Sequence, residues 1–274
     1  MTIICKGCGE EFISNRRIRQ YCSRECANIH TGTVRAEKET DEKLYTVWSC
    51  GGGVQSTAIA VLIESGRIPK PDYGIMVNCG YEKSATLKYV NEVTIPRMEK
   101  AGVKLIMLDT LKYTNNDLTD GKGHINIPAF KLREDGIISK LHTHCNNTWK
   151  VRVTRKWARE QGINNFENWL GISTDEKQRA RTSTLKWIKY TYPLIDLDMN
   201  REECIFEIAR AGWAMPPRTS CIFCPQQTDK AWEETYKHYP DDWAKALEAE
   251  GIIRAEAENV FLHRKCAPLK EIFG

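Results

Sequence analysis

The sequence predicts an α/β fold, a parallel sheet with helices on both faces, preceded by a small cysteine-rich segment and followed by a helical part. Three observations predict it. Apolar strand patterns alternate with helix patterns after residue 44, a glycine-rich turn joins the first strand to the first helix, and four cysteines form two close pairs near the start. In such a sheet, ligands bind beyond the carboxyl ends of the strands.

Residues 1–30 form a candidate zinc ribbon. Cys5-x2-Cys8 and Cys22-x3-Cys26 supply four thiolates in two close pairs, which is what a tetrahedral zinc ion requires. Because so short a segment has almost no core, zinc binding would supply most of its folding energy. Free or redox-active cysteines are the alternative interpretation.

The ribbon is basic, and it is followed by a predicted linker at residues 31–43, rich in Thr, Glu, Lys and Asp. The arginines of the ribbon could contact the phosphates of DNA or RNA, or form a solvated face. These arginines are Arg16, Arg17, Arg19 and Arg24.

The nucleotide-binding domain is predicted to span residues 44–200. Its first turn, between a strand at 44–48 and a helix at 56–64, is Ser-Cys-Gly-Gly-Gly-Val-Gln-Ser-Thr. A glycine-rich turn that opens a helix aims backbone N–H groups and the positive end of the helix dipole at phosphate. No lysine follows the glycines, so the turn is not a Walker loop, and the dinucleotide fingerprint fails at Ser56. A purely structural turn is the alternative.

Two more polar residues follow predicted strands. Asn78 follows the strand at 72–77, and Asp109 follows the strand at 103–108, so both should lie at the ligand edge of the sheet. The candidate cofactor-binding residues are therefore Ser49, Gly51, Gly52, Gly53, Gln55, Ser56, Thr57, Asn78 and Asp109.

The later elements are less regular. Residues 111–144 are a polar, glycine-containing excursion, expected to be a lid or a disordered insert. Residues 201–274 are predicted to be a helical region packed on the sheet domain. The predicted helices are 84–101, 152–161, 200–211, 229–239 and 241–250, with a further strand at 168–172.

A second group of cysteines lies in the body of the chain. Cys221-x2-Cys224 offers two metal ligands, and Cys145 is the best third candidate. Three thiolates with an open position suit a [4Fe–4S] cluster, whose fourth ligand could be Cys204 or His144. A second zinc, a redox dithiol and buried structural cysteines are the alternatives. Packing roles are expected for the remaining cysteines of the body, Cys50, Cys79, Cys204 and Cys266, although Cys50 could be reactive.

Charged residues between these cysteines suggest an anion pocket. The acids could hold a metal–nucleotide complex and the arginines could bind phosphate or sulfate oxygens, whereas a solvated helix start explains the same pattern. The candidate catalytic residues are Lys150, Arg152, Asp175, Glu176 and Arg179, with Arg155 and Arg181 nearby.

Composition limits the class of protein. The chain has 274 residues and a net charge of +4, and its pI is about 8.4, a mildly basic balance that permits nucleic-acid contact without requiring it. No apolar run is long enough to span a membrane, and the first residues lack the layout of a secretion signal, so a cytoplasmic protein without membrane contact is expected.

Taken together, the motifs resemble the phosphoadenosine phosphosulfate (PAPS) reductase-like proteins of bacteria and phages, part of the adenine nucleotide alpha hydrolase group. The resemblance covers about residues 44–272. The matching motifs are Cys50-Gly51-Gly52-Gly53-Val54-Gln55-Ser56-Thr57, Ile127-Pro128-Ala129-Phe130, Cys145-x4-Lys150-x-Arg152, Gly171-Ile172-Ser173-x-Asp175-Glu176-x2-Arg179, Tyr192-Pro193-Leu194-Ile195, Pro217-x2-Ser220-Cys221-x2-Cys224-Pro225, Trp232 and Leu262-His263-Arg264.

The resemblance implies a Rossmann-like fold and a PP-loop, the pyrophosphate-binding Ser-Gly-Gly-x-Asp-Ser turn of ATP pyrophosphatases. Gly51 stands where the first Ser is usual, and Gln55 replaces the Asp, as is common in this subgroup. His144 and Asn146 depart from the Gln-Cys-Thr usual around Cys145, and the ribbon is an addition.

The leading hypothesis is an ATP- and Mg²⁺-dependent enzyme that adenylates a substrate, such as a nucleobase in DNA or RNA, for sulfur or nitrogen transfer. A sulfur donor protein and a homodimer are further expectations. A sulfonucleotide reductase acting on adenylyl sulfate or PAPS, and a non-catalytic nucleotide sensor or DNA-docking protein, are the rivals. We expect Gly52→Val to abolish ATP binding by occupying the space of the phosphate, while leaving the fold intact.

Overall fold

The computed structural model describes residues 2–14, 20–23, 26–27, 43–141, 143 and 145–274. The chain divides into two compact units, Met1–Leu44 and Tyr45–Gly274. The four ribbon arginines, His144 and the predicted linker, apart from Lys43, lie outside the described residues.

The first unit contains a small antiparallel hairpin. Strands β1 (Thr2–Ile4) and β2 (Glu11–Ile13) pair with Thr2 opposite Ile13. The turn between them carries Cys5 and Cys8, and the amide of Gly9 donates to the carbonyl of Cys5. This tight turn is the local structure that a Cys-x2-Cys pair needs to place both sulfur atoms on one side.

The second unit contains a central sheet, a smaller sheet and a set of helices. Its strands are β3 (Tyr45–Ser49), β4 (Tyr73–Asn78), β5 (Leu105–Asp109), β6 (Ala129–Leu132), β7 (Ile138–Leu141), β8 (Phe166–Leu170), β9 (Ile188–Thr191) and β10 (Val260–Phe261). Its α-helices are α1 (Val54–Glu64), α2 (Ser84–Tyr89), α3 (Ile95–Lys100), α4 (Arg152–Glu160), α5 (Pro193–Asp196), α6 (Arg201–Arg210), α7 (Asp229–His238), α8 (Pro240–Glu256) and α9 (Leu269–Phe273).

The central sheet is parallel throughout, in the order β5-β4-β3-β8-β9. The chain starts at the middle strand β3, builds outward to β5, and then returns to add β8 and β9 on the other side of β3. The strand order therefore reverses between β3 and β8, and in doubly wound sheets the crevice at such a switch point is the usual ligand site.

Alternate residues of the strands face two different cores, as expected for a sheet covered on both faces. Trp48 and Met76 face a core that includes residues of α1 and α6, while Val47 and Ile75 face a core that includes Trp157 of α4. The predicted parallel sheet with helices on both faces is confirmed.

The helix expected at residues 84–101 is present but is divided. A π-helical turn at Val90–Thr94 separates α2 from α3. Pro96 lies at the start of α3 and has no amide hydrogen to donate to the preceding turn, which favours a local change in hydrogen-bond register there.

The excursion at residues 111–144 contains structure that the sequence pattern did not predict. Strands β6 and β7 form an antiparallel hairpin, and β10 from the end of the chain pairs with β6. The pattern also missed β9, whose partner β8 lies earlier in the chain. A third core joins this small sheet to α7 and α8 of the helical C-terminal part.

The start of α6 shows a complete local helix signal. Asn200 accepts from the amide of Glu203, and the Glu203 carboxylate accepts from the amide of Asn200. Within the described ranges, no helix has the length and apolar surface needed to cross a bilayer.

Candidate active site

A large cleft opens at the switch point of the sheet, with a volume of about 1370 Å³. Ser49 at the end of β3 and Leu170 at the end of β8 line its floor, and Thr219 and Gln227 line it from the C-terminal part. The glycine turn lies at its head, since Gly51, Gly53, Gln55 and Ser56 all line it. The position is the one that the strand order predicts for a ligand.

The glycine turn leaves the first amides of α1 without a side-chain cap. Gly53 is the N-cap of this eleven-residue helix and has no hydroxyl or carboxylate to offer. The Ser56 hydroxyl donates to the Gly53 carbonyl at 3.0 Å, so its proton is committed to the turn. Uncapped amides and the helix dipole together favour an anion at this end of the helix.

The three glycines of the turn have different surroundings. A Cβ on Gly51 would meet nothing within 4 Å, so this residue borders open space in the cleft. A Cβ on Gly53 would lie 2.8 Å from the Thr219 hydroxyl. Both glycines line the cleft, so Gly51 leaves room for a phosphate to approach the backbone, while Thr219 lies directly against Gly53.

Gly52 corrects one expectation. It has φ +70°, and a Cβ there would lie 2.7 Å from Cγ2 of Thr86 and 3.1 Å from Cγ2 of Val90, both buried residues. A side chain at Gly52 would therefore collide with the packing under the turn and not with a phosphate. Gly52→Val is expected to damage the fold, so the expectation of an intact fold was wrong.

Gln55 occupies the position where the PP-loop pattern has Asp. Its amide donates to Glu176 Oε2 at 3.2 Å and to the Ser173 hydroxyl at 3.5 Å, and its carbonyl accepts from Arg201 at 3.1 Å. An Asp could not donate to the Glu176 carboxylate and would repel it. The neutral amide therefore allows Glu176 to remain beside the turn.

The cleft is strongly cationic. Among the described residues, two carboxylates line the cleft, those of Glu82 and Glu176. Six basic side chains also line it, those of Lys150, Arg155, Arg179, Arg181, Arg201 and Arg218. Arg179 also forms an ion pair with Glu176 at 2.7 Å. The excess of positive charge favours an anionic ligand with several negative groups, such as a nucleoside triphosphate.

The predicted catalytic residues divide into two groups. Lys150, Glu176 and Arg179 line the cleft, whereas Arg152 is exposed on α4 outside the lining. Asp175 also lies outside the lining, because its carboxylate accepts from the amide of Arg201 at the start of α6 at 3.0 Å. A hydrogen bond from Ser173 is the main cause that holds the pKa of Asp175 below its usual value.

Four predicted cofactor-binding residues also lie outside the cleft lining, namely Gly52, Thr57, Asn78 and Asp109. Asn78 accepts from the amide of Gly80, and Asp109 accepts from the amide of Leu111, so each caps the turn that follows its strand. Thr57 is fully buried within α1. Strand ends alone did not distinguish side chains that turn back on the backbone from those that face a ligand.

Two cysteines of the body, Cys79 and Cys221, meet near the cleft in an arrangement that the sequence did not predict. Cys79 and Cys221 lie with their sulfur atoms 3.8 Å apart, and Cys79 lies 3.6 Å from Oε1 of the buried Glu82. Lys150 donates to the same carboxylate oxygen at 2.5 Å. An isolated bridge between Glu82 and Cys221 fixes the two segments side by side.

The charges of this cluster are coupled. A hydrogen bond from Cys221 lowers the pKa of Cys79, and the same bond, with burial and the charge of Glu82, raises the pKa of Cys221 well above its usual value. Burial alone would lower the pKa of Lys150, but Glu82 and the two sulfur groups outweigh it, and the net shift is upward. Lys150 is therefore a permanent cation here.

Cys145 and Cys224 lie at the border of the same region. Cys145 and Cys221 pack against one core, and Cys224 lines the cleft. Burial raises the pKa of Cys224, and the charge of Cys145 adds to the effect. Among the described residues, the groups close enough to share a single ion include Cys79, Glu82 and Cys221, but not the predicted set of Cys145, Cys221 and Cys224.

Cys50 differs from the cluster, although it lines the cleft beside the glycine turn. Burial raises the pKa of its thiol to about 11, so it is a neutral thiol at physiological pH. A reactive role for Cys50 therefore has no support from its surroundings.

The four ribbon cysteines form a second candidate metal centre, in the first unit. Their sulfur atoms lie within 4.8 Å of one another, with Cys8 3.6 Å from Cys22 and Cys22 3.4 Å from Cys26. Burial raises the pKa of Cys5, but hydrogen bonds from backbone amides, led by that of Cys22, outweigh burial and lower this pKa to about 6. Hydrogen bonds with Cys26, Cys5 and Cys8 raise the pKa of Cys22 to about 12. A cation is needed before all four thiols can lose their protons.

Comparisons with known proteins give structural neighbours only. No protein-family model matches the sequence, and no curated protein is significantly similar to it. The structure is similar to the U34-tRNA thiolase NcsA from Methanococcus maripaludis with its [4Fe-4S] cluster, at 16% identity and a TM-score of 0.41, covering 93% of this chain and 89% of that chain.

It is also similar to a phosphoadenylyl-sulfate (PAPS) reductase from Candida auris in a phosphate complex, at 12% identity and a TM-score of 0.42, covering 71% of this chain and 89% of that chain.

Proposed function

We propose that this chain is a PP-loop enzyme of the ATP pyrophosphatase type. It binds ATP with the β- and γ-phosphates against Gly51–Gly53, transfers AMP to an oxygen of an acceptor and releases pyrophosphate. A sulfur or nitrogen nucleophile then displaces AMP from the acceptor. The observation that carries the proposal is the open, uncapped glycine turn at the head of a cationic cleft.

The charges of the cleft support this chemistry. Amides of Gly51, Gly52 and Gly53 and the N-terminus of α1 would hold the leaving pyrophosphate. Lys150 and Arg179, which line the cleft, would neutralise the charge that gathers at the α-phosphate during attack. Mg²⁺ would accompany ATP, and Glu176 is the carboxylate of the cleft that lies beside the turn.

The reductase alternative needs a nucleophilic cysteine on a mobile tail. Cys266 is the cysteine near the end of the chain, but its amide donates to the His263 carbonyl, it lies outside the cleft lining, and burial raises its pKa. These observations favour adenylation over attack by a terminal thiolate on sulfate sulfur.

The acceptor is proposed to be a nucleobase in DNA or RNA. A cleft of this size has room for a nucleotide beyond ATP, and the basic lining suits a phosphodiester backbone. The ribbon would contribute to nucleic-acid binding through its arginines. A single-stranded or flipped base is the form that such a cleft could admit.

The test is ATP binding by calorimetry and pyrophosphate release with a panel of single-stranded and duplex DNA and RNA acceptors. Gly51→Leu should weaken ATP binding about tenfold or more, because the side chain enters the open space at the turn without touching the core. Gly51→Ser should retain binding, since a hydroxyl fits the same space. Gly251→Leu is the matched control, because Gly251 also faces open space but lies on α8.

Two outcomes would contradict the proposal. ATP binding unchanged by Gly51→Leu would place the nucleotide elsewhere. Normal binding without pyrophosphate release for any acceptor would instead identify a nucleotide sensor.

A further inference from the structure

A group of potential metal ligands lies beside the cleft, separate from the four ribbon cysteines. We propose that Cys79, Glu82 and Cys221 bind a single thiophilic divalent cation, Zn²⁺, through two thiolates and one carboxylate. The inference does not depend on the proposed adenylation, since metal content is measured without nucleotide. It differs from the [4Fe–4S] hypothesis for Cys145, Cys221 and Cys224, because Cys221 cannot serve both.

The distances between the ligand atoms fit one tetrahedral ion. Zn–S bonds of about 2.3 Å place two sulfur ligands about 3.8 Å apart, and a Zn–O bond of about 2.0 Å places the oxygen about 3.5 Å from each sulfur. The observed Cys79–Cys221 separation is 3.8 Å, and the Cys79–Glu82 separation is 3.6 Å. The sulfur ligands of an iron–sulfur cube bind different iron atoms and are farther apart.

The backbone holds these ligands in place. Cys79 and Glu82 form a Cys-x2-Glu turn directly after β4, in which Gly80 has φ +83° and the Cys79 carbonyl accepts from Asn116. The amide of Ile222 donates to the Tyr81 carbonyl at 2.8 Å, so Cys221 is fixed against this turn. Three ligand atoms thus converge without any movement of the chain.

The charges of the cluster also favour a divalent cation. Two thiolates and a carboxylate carry three negative charges, which Lys150 and one divalent ion would balance. The Glu82 side chain is 3% exposed, and among the described residues Lys150 is its cationic partner. Burying an anion is costly unless it is paired, so a cation at this point stabilises the cluster.

The ligands Cys79, Glu82 and Cys221 are typical of a zinc site with an open coordination position. Three protein ligands leave a fourth place on a tetrahedral ion, and catalytic zinc sites keep that place for water or a substrate group. Glu82 and Lys150 line the cleft, so the fourth position borders the same space as the proposed nucleotide. A sulfur donor such as sulfide, or a water molecule, is the chemical class that this position would accept.

The experiment measures the metal content of the full chain, purified anaerobically and without chelator, by mass spectrometry together with acid-labile sulfide. The wild type should hold two zinc ions, one in each centre, and no sulfide. Cys79→Ser should lose one zinc ion, while Cys224→Ser should keep both. Cys204→Ser is the matched control, since Cys204 is equally buried but lies outside the cluster and should keep both ions.

Cobalt substitution gives an independent readout of the ligands. Co²⁺ at the body site should show thiolate-to-cobalt charge-transfer absorption that Cys79→Ser reduces and Cys224→Ser leaves unchanged. A ribbon variant, Cys8→Ser with Cys22→Ser, isolates the body site for this measurement. Circular dichroism serves as the check that each variant is folded.

Three results would overturn the proposal. One is a folded Cys79→Ser variant that holds as much zinc as the wild type. Another is iron with sulfide that Cys224→Ser removes, which would establish the cluster instead. The third is a Cys79–Cys221 disulfide in the anaerobic protein, found by peptide mass mapping, which would make the pair a redox dithiol.

Discussion

The two cysteine centres of this chain are built in opposite ways. In the ribbon, Cys5, Cys8, Cys22 and Cys26 come from one short segment whose large apolar side chains are exposed, Ile4 at 65% and Ile13 at 83%. In the body, Cys79 and Cys221 are 142 residues apart and border a core that contains Trp149 and Trp232. We therefore expect the ribbon to need an ion to fold, whereas the body must fold before its candidate ligands come together.

The largest expected effect tests the ribbon half of this comparison. Chelation of zinc, or Cys5→Ser with Cys22→Ser in the full chain, should unfold β1 and β2, because a structural zinc ion contributes about 10 kcal/mol or more to so small a segment. Hydrogen exchange of the amides of residues 2–14 measures the loss. The β3–β5 amides should stay protected, and continued protection of β1 and β2 after chelation would show that the hairpin folds without metal.

An intermediate effect is expected in the body. Lys150→Met removes the partner of the buried Glu82 and should lower the free energy of unfolding by about 2 kcal/mol, a figure reduced because Lys150 is itself partly exposed. Urea denaturation of the zinc-free full chain measures it, and adding Glu82→Gln should recover most of the loss.

Lys189→Met is the matched control for this prediction. Its Nζ lies at the same 2.5 Å from Glu167, but the lysine side chain is 69% exposed. An exposed pair of this kind is worth less than about 1 kcal/mol. Equal losses for the two variants would mean that burial of Glu82 has no energetic consequence.

The smallest expected effect is on the free energy of unfolding at acidic pH. Burial lowers the pKa of His263, although Asp229, 3.5 Å away, partly opposes the shift. Nδ1 of His263 accepts from the Lys265 amide, so the neutral ring carries its proton on Nε2. The unfolded chain then binds more protons than the folded one below about pH 6.5, and stability should fall by about 1 kcal/mol per pH unit from that pH down to the folded pKa.

His263→Gln should flatten the fall of the free energy of unfolding below about pH 6.5. Urea midpoints across the range measure it, with ribbon zinc content followed in parallel, since acid also releases zinc by protonating thiolates. If the variant keeps the wild-type slope, another group causes the acid sensitivity of the body.

The sequence predicted the fold class because its evidence is periodic and local. The alternation of strands and helices shows in the hydrophobic pattern along the chain. The prediction placed five elements within a few residues of their observed bounds, namely β3, α1, β4, β5 and α6. The hairpin β6–β7 and strand β9 were missed, because each is short and is defined by its partners. A strand of four residues has too little pattern to be distinguished from a loop.

The candidate site was predicted unevenly for the same reason. The sequence predicted a phosphate site at the glycine turn, but the space around each glycine depended on Thr86, Val90 and Thr219, which come from other elements. Asn78 and Asp109 follow strands as predicted, yet both turn back to cap the backbone.

By itself, then, the sequence determined what depends on neighbouring residues: the paired ribbon cysteines, the glycine turn and the alternation that makes a parallel sheet. Only the tertiary structure decided that Cys79 lies against Cys221, that Glu82 is buried between them and Lys150, and that Gln55 bonds to Glu176. The physical reason is that side-chain spacing along a helix or turn is fixed by backbone geometry, whereas contacts between distant segments depend on how the whole core packs.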